Sequence, residues 1–152
     1  MNLTRLDDGT CALCGGRDLF GDVKAFQDKF DLPTYPGTPP GIPEEDVLTF
    51  RTRFMVEELQ EFRDACARSD LCGAADALAD LVYVALGTAH LMGLPFNEIW
   101  REVQRANMTK VRAESKDDPR SKRGHWYDVV KPEGFAPPDH SDAIVAAAGA
   151  HR

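Results

Sequence analysis

A chain of 152 residues with 43% hydrophobic content suits one globular core and leaves little room for a second. Its net charge of −7 argues against a nucleic-acid binder that works by blanket phosphate neutralisation. No run of about 18 apolar residues lacks a charge or break, and Met1 to Asp8 show neither the basic nor the apolar region of a signal peptide. A cytoplasmic protein with no membrane partner is therefore expected.

Cys11 and Cys14, with Gly15 and Gly16 behind them, look like half a zinc knuckle. Cys66 and Cys72 are separated by five residues and form no second close pair, so four reduced thiols are the expectation. Over residues 17–31, Leu19, Val23, Phe26 and Phe30 recur at helical spacing and predict a first amphipathic helix. Leu32 to Pro43 contains five prolines and two glycines, which rules out regular structure and predicts a surface loop.

A second helix is expected from Pro43 to about Arg68, with Pro43 in its first turn and Glu44, Glu45 and Asp46 complementing the positive helix end. Its apolar stripe runs through Val47, Phe50 and Phe54, and the next steps land on Glu57, Glu58 and Glu61 before Phe62, Ala65 and Cys66. Acids thus interrupt a face that otherwise reads as core. Ser69 and Asp70 are cap candidates for a third helix, from about Gly73 to Met92, with Gly93 as its stop. Between Ala74 and Met92 the only acids are Asp76 and Asp80, one turn apart, so this helix reads as central and buried. A fourth helix is expected from Pro95 to about Val111, turning Phe96, Ile99, Trp100 and Val103 inward and placing Asn107 and Lys110 on one face.

Beyond Val111 basic and aromatic residues alternate in a long polar arm, with strand-like alternation only from Trp126 to Val130. Residues 1–140 are expected to form a single domain, and 141–152, which have no cap and little to bury, a frayed or disordered tail. The expected fold class is all-α, a four- to five-helix bundle with a long C-terminal loop arm.

Charge is uneven along this plan: Glu44 to Asp80 holds ten acids and four bases, whereas Arg101 to Lys131 holds nine bases and five acids. Glu57, Glu58 and Glu61 lean toward one point by their i,i+3 and i,i+4 spacing, and Asp76 and Asp80 do so on the next helix. The short connection between the two helices makes them antiparallel neighbours, able to bring both clusters to one level. Buried carboxylates need a counter-charge, and converging oxygens suit a hard divalent cation, Mg2+ with Mn2+ as the alternative. Otherwise the acids would pair with Arg51, Arg53, Arg63 or Arg68. Glu58, Glu61, Asp76 and Asp80 are the candidate metal ligands, and Glu57 joins Glu58, Glu61 and Asp80 as a catalytic candidate. Asn107 and Lys110 are candidates for holding phosphate or sugar. Lys122, Arg123 and Lys131 taken singly read as solvated surface, while within the basic arm Lys122 and Lys131 join the substrate-binding candidates. His90 reads as a satisfied core histidine and His125 as loop surface.

Four segments in order, Glu57-Glu58-x-x-Glu61, Ala79-Asp80-Leu81-Val82-Tyr83, Arg105 to Lys110, and Lys131-Pro132-Glu133-Gly134-Phe135-x-Pro137-Pro138, resemble the all-alpha NTP pyrophosphohydrolases. That superfamily includes MazG-like proteins, dimeric dUTPases and phosphoribosyl-ATP pyrophosphohydrolases, and the resemblance is greatest to phosphoribosyl-ATP pyrophosphohydrolase-like proteins. It covers roughly Asp22 to Asp139. It implies a helical bundle that dimerises, or forms a dimer of dimers, and cleaves a Mg2+-bound nucleotide between the α and β phosphates. It matches Glu58, Glu61 and Asp80 to metal ligands and Glu57 to an acid that orients water. The family pattern E-x-x-E followed by E-x-x-D is broken at Ala77, three before Asp80, where a glutamate is expected. Asp76 is the nearest substitute. The implied use is house-cleaning of nucleotide pools; the long aromatic arm fits the short biosynthetic enzymes of histidine synthesis less well. A ferritin-like di-iron protein would need Glu-x-x-His, which occurs nowhere in the chain. A nucleotide-binding regulatory dimer with weak turnover remains the rival reading.

Overall fold

Helix-forming periodicity and punctuating caps account for most of the architecture. The structure, a computed structural model, describes residues 16–32 and 40–150. The expectations for Cys11 and Cys14, and for most of the proline-rich loop, lie outside the described residues. Among the described residues the order is α1 (Leu19–Lys29), α2 (Glu45–Ala67), α3 (Leu71–Leu91), α4 (Phe96–Met108), β1 (Val111–Arg112), β2 (Val129–Val130) and α5 (Ser141–Gly149). The fold is all-α, with one two-residue strand pair.

The chain divides into two compact units, one taking the described residues through Phe96 together with those from Ala147, the other Asn97–Ala146. In the first unit α3 packs along α2 and also against α1. Asp18 caps α1 by accepting a bond from the Gly21 amide at 3.0 Å. Val23 and Gln27, one turn apart, are the residues α1 buries, whereas Leu19, Phe26 and Phe30 of the expected stripe stay exposed. The buried face is therefore rotated from the one the aromatic spacing predicts.

Pro43 is buried but precedes the Glu44 N-cap, so it ends the loop instead of filling the first turn of α2. The α2–α3 connection turns on Ser69, whose φ of 56° lies in the left-handed region, and Asp70 then caps α3 by accepting from the Gly73 amide at 2.9 Å. Gly93, at φ 68°, stops α3, and the Leu94 amide closes the end by donating to the Ala89 carbonyl at 3.0 Å.

The expected buried stripe of α2 is only partly closed, with Val47, Phe54 and Phe62 half-buried. Glu58 and Ala65 are the residues of α2 that are buried, and Phe50, Glu57, Glu61 and Cys66 are exposed. Likewise α3 buries one side and its C-terminal half, while Leu71, Leu78, Val82 and Tyr83 reach solvent. By length and mean hydropathy α3 could cross a membrane, yet it carries Asp76 and Asp80 and packs on two helices.

In the second unit, α4 carries the i,i+3 ion pairs Glu98–Arg101 and Glu102–Arg105 on its polar side. The helix ends at Met108, so Lys110 lies beyond it in a turn and Asn107 and Lys110 do not share a helical face. Trp100, expected inward, is exposed. β1 and β2 pair antiparallel, Val111 with Val130 and Arg112 with Val129. Two buried aspartates shape the arm between them. Asp118 accepts from the Glu114 and Arg120 amides and from the Arg120 guanidinium, and Asp128 accepts from the Ser121 hydroxyl, Arg123 and the Val129 amide. Residues from Ser141, expected to fray, form α5, which buries none of its residues.

Candidate active site

Glu58 is the centre of the acidic site. It sits at 7% exposure on the side of α2 that meets α3, because one turn either way the same face carries Phe54, half-buried, and Phe62. Burial pushes its carboxyl above the ordinary range, and Glu61, Asp80, Glu57 and Asp76 each push it further the same way. The two clusters expected from their spacing on neighbouring helices thus act on one buried carboxylate.

None of these five acids forms an ion pair among the described residues, and Arg51, Arg53, Arg63 and Arg68 do not neutralise them. Glu57, Glu61, Asp76 and Asp80 are exposed around Glu58, leaving their oxygens approachable. Among the described residues no three acidic, histidine or cysteine side chains stand close enough together to clasp an ion. In chemistry, though not in this spacing, the donor set fits a hard cation: all its candidate ligands are carboxylates, and its buried member is opposed by four like charges with no base to offset them. Ala77, at the position where the family pattern has glutamate, is 3% exposed. Its side of α3 is packed, whereas neighbouring Asp76 is exposed near Glu58.

A cavity of about 440 Å3 adjoins the acids. Glu58 and Asp80 form part of its wall, aromatic Phe26, Phe50, Phe54 and Tyr83 form another part, and Gln27 and Arg51 contribute polar groups. Phe26 and Tyr83 meet edge to face with centroids 5.5 Å apart, fixing one side of the opening. Burial raises the Tyr83 hydroxyl's pKa.

Gln27 and Arg51 were not singled out as site residues from sequence. A signal existed for both: Gln27 follows Val23 by one turn on the buried side of α1, and Arg51 lies between Val47 and Phe54 on the apolar stripe of α2. Polar residues on an apolar face mark a site as well as acids do.

The second unit holds the remaining candidates. Asn107 is exposed in the last turn of α4, Lys110 is half-buried in the turn after it, and Lys122 and Lys131 are exposed in the arm. Lys131 lies over the Phe135 ring at 5.0 Å. His125 is surface, as expected, with its Nδ1 accepting from the Tyr127 amide and its ring stacked on Trp126 and Tyr127. His90 differs from expectation: its ring meets the edge of Phe20, but its buried Nε2 has no hydrogen-bond partner. Burial is the main cause that lowers its pKa.

No curated protein matches the chain. A sequence model of the phosphoribosyl-ATP pyrophosphohydrolase family matches residues 23–107, a span that runs from the buried valine of α1 through the acids of α2 and α3 to Asn107. With more than half of its length matched, and with an all-α architecture that sets the acids of two adjacent helices around Glu58, the chain belongs to the phosphoribosyl-ATP pyrophosphohydrolase family, within the all-alpha NTP pyrophosphohydrolases.

Proposed function

We propose that the protein is a Mg2+-dependent nucleotide pyrophosphohydrolase that cleaves a nucleoside or deoxynucleoside triphosphate, or a related nucleotide, between its α and β phosphates. The products are the monophosphate and pyrophosphate, and the use is clearing nucleotide pools. The carrying observation is the buried Glu58, surrounded by four further carboxylates without a basic partner, beside an aromatic-walled cavity. Family membership supports the reaction class.

Glu58, Glu61, Asp76 and Asp80 would hold the metal. When bound, Mg2+ would neutralise phosphate charge and acidify a water. Glu57 would orient the attacking water and receive its proton as the new bond to the α phosphorus forms and the bond to the bridging oxygen breaks. Asn107, Lys110, Lys122 and Lys131 are proposed ligands of sugar and phosphate, on their chemistry as an amide donor and mobile cations. A cytoplasmic homodimer is the proposed setting: the apolar side chains left open on α2 and α3 suit a second copy.

Phosphorus NMR with Mg2+ and a panel of NTPs, dNTPs and phosphoribosyl-ATP tests the reading. Pyrophosphate should appear with the wild type and fall by at least about 100-fold with Glu58→Ala, the size typical of removing one group that stabilises transition-state charge. Inorganic phosphate in place of pyrophosphate would overturn this reading, and nucleotide binding without any turnover would replace it with the regulatory dimer, which the alanine at position 77 otherwise favours.

A further inference from the structure

The cavity beside the acids holds a cation that the acids do not use. Arg51 is half-buried and lines the cavity, yet no carboxylate among the described residues pairs with it. Its Nε donates to the Thr88 hydroxyl at 3.0 Å and its Nη2 to the Val84 carbonyl at 2.7 Å, both neutral acceptors on α3. The Phe54 ring supports the guanidinium from 5.6 Å. Of five N–H donors, two are used in these bonds, so three remain to be satisfied in a half-dehydrated place.

The surroundings hold Arg51 in this position. Nε and Nη2 are both anchored to α3, so the guanidinium plane is fixed and is not a swinging surface charge. Gly87 leaves the room: a Cβ there would stand 3.0 Å from Arg51 Nη2 and 3.4 Å from Gln27 Nε2. Gln27, at 4% exposure, donates through Nε2 to the Gly87 carbonyl at 3.1 Å, and its Oε1 is buried without a partner. The cavity therefore has an acidic wall at Glu58 and Asp80, aromatic walls, and a fixed cationic donor at Arg51.

A nucleotide has the matching order of parts. Its phosphates go toward carboxylates that bind a metal, its base is a flat ring that packs on aromatic faces, and the edge of that base carries hydrogen-bonding groups. About 440 Å3 lies within the range of small-ligand cavities. Arginine donates only, so whatever meets Arg51 must accept, and a carbonyl oxygen accepts better from a charged donor than an amino group, which itself donates.

We infer that this cavity seats the substrate's base and that Arg51 is its specificity-determining residue, selecting oxo bases over their amino counterparts, an inference that rests on the nucleotide reading above. Arg51 touches the base and takes no part in the bond cleavage.

The test is calorimetric titration of the full chain, with Mg2+ present, by the 5′-monophosphates of inosine, adenosine, uridine and cytidine. These pairs differ at the oxo or amino group, and binding is read without any hydrolysis. The wild type should favour the inosine over the adenosine nucleotide, and the uridine over the cytidine nucleotide, by about tenfold or more. Arg51→Met should bring both ratios to about one. Ratios near one in the wild type, binding of none of the four, or ratios that survive in Arg51→Met would each overturn the inference. Uniform weakening of all four by the variant, with ratios kept, would make Arg51 a strut between α2 and α3. Should Arg51→Met not fold, Arg51→Lys retains the charge without the planar fork, and its ratios decide in the same way. Pyrophosphate release, assayed on the same preparations, separates failure of this inference from failure of the hydrolase reading.

Discussion

Glu58 has a raised carboxyl pKa because burial and four acidic neighbours oppose its ionisation. A group whose folded pKa lies above its unfolded value favours the folded state at low pH, and that advantage is lost as pH rises through the folded pKa. At pH 7, well above the unfolded value, that advantage is diminished and Glu58 works against folding. Glu58→Gln should be more stable than the wild type at pH 7 in urea titrations, and the difference should vanish below about pH 4. A loss of stability at pH 7 would show that the carboxylate has a favourable partner instead. Asp118 behaves oppositely. Its bond with the Arg120 side chain, then those from the Glu114 and Arg120 amides, hold its carboxyl well below the usual range. This contribution is present above about pH 4 and fades as pH falls through the folded pKa. Asp118→Asn should be less stable than the wild type at pH 7, with the gap closing in acid, as followed by unfolding with tryptophan fluorescence. Part of this difference is local, since Arg120 stands two residues from Asp118 whereas Glu57 and Glu61 flank Glu58; the burial of Glu58 and the push from Asp80 and Asp76 come only with the packing of α2 on α3.

At the scale of elements, the existence of α1 to α4 was legible because periodicity and caps are local, whereas α5, which shows neither, was not. Gly93 and Asp70 stand where the sequence predicts an end and a start, and the structure uses both. Asp70→Ala removes the bond to the Gly73 amide and should cost about 1 kcal/mol in denaturant unfolding. An unchanged midpoint would mean that solvent or another group satisfies that amide equally well. Faces were less legible than ends. The sequence marks α1 by its aromatic residues, yet Val23 and Gln27 are the buried pair, because the smaller side chains fit where α1 meets α3 and Phe26 and Phe30 pack on each other with centroids 4.8 Å apart. The same competition leaves Phe50 exposed on the apolar stripe of α2 while Glu58 is buried. The second unit shows the complementary case: Trp126 to Val130 looks strand-like, but only Val129 and Val130 form the strand, since the Asp128 amide turns back to donate to the His125 carbonyl at 2.9 Å.

For the whole molecule, the open apolar side chains are the main feature. Leu78 and Val82 on α3 and Val56 and Leu59 on α2 are exposed, apolar side chains on two neighbouring helices that a second copy would cover. Sedimentation velocity should give twice the chain mass of 16.8 kDa, and Leu78→Glu with Val82→Glu should return the single-chain mass. A monomeric wild type would assign those side chains another role. The sequence by itself determined the first four helices, their order, the acids on two consecutive helices and the family, but not α5, because helical period, capping residues and carboxylate spacing are properties of neighbouring residues and α5 carries no such signal. Only the tertiary structure decided which acid is buried, which face of each helix meets another, and that Gln27 and Arg51 share a cavity with Glu58 and Asp80. Those outcomes depend on how side chains of separate helices compete for the same space and on how far each charge is removed from water, and neither is written in any one segment of the chain.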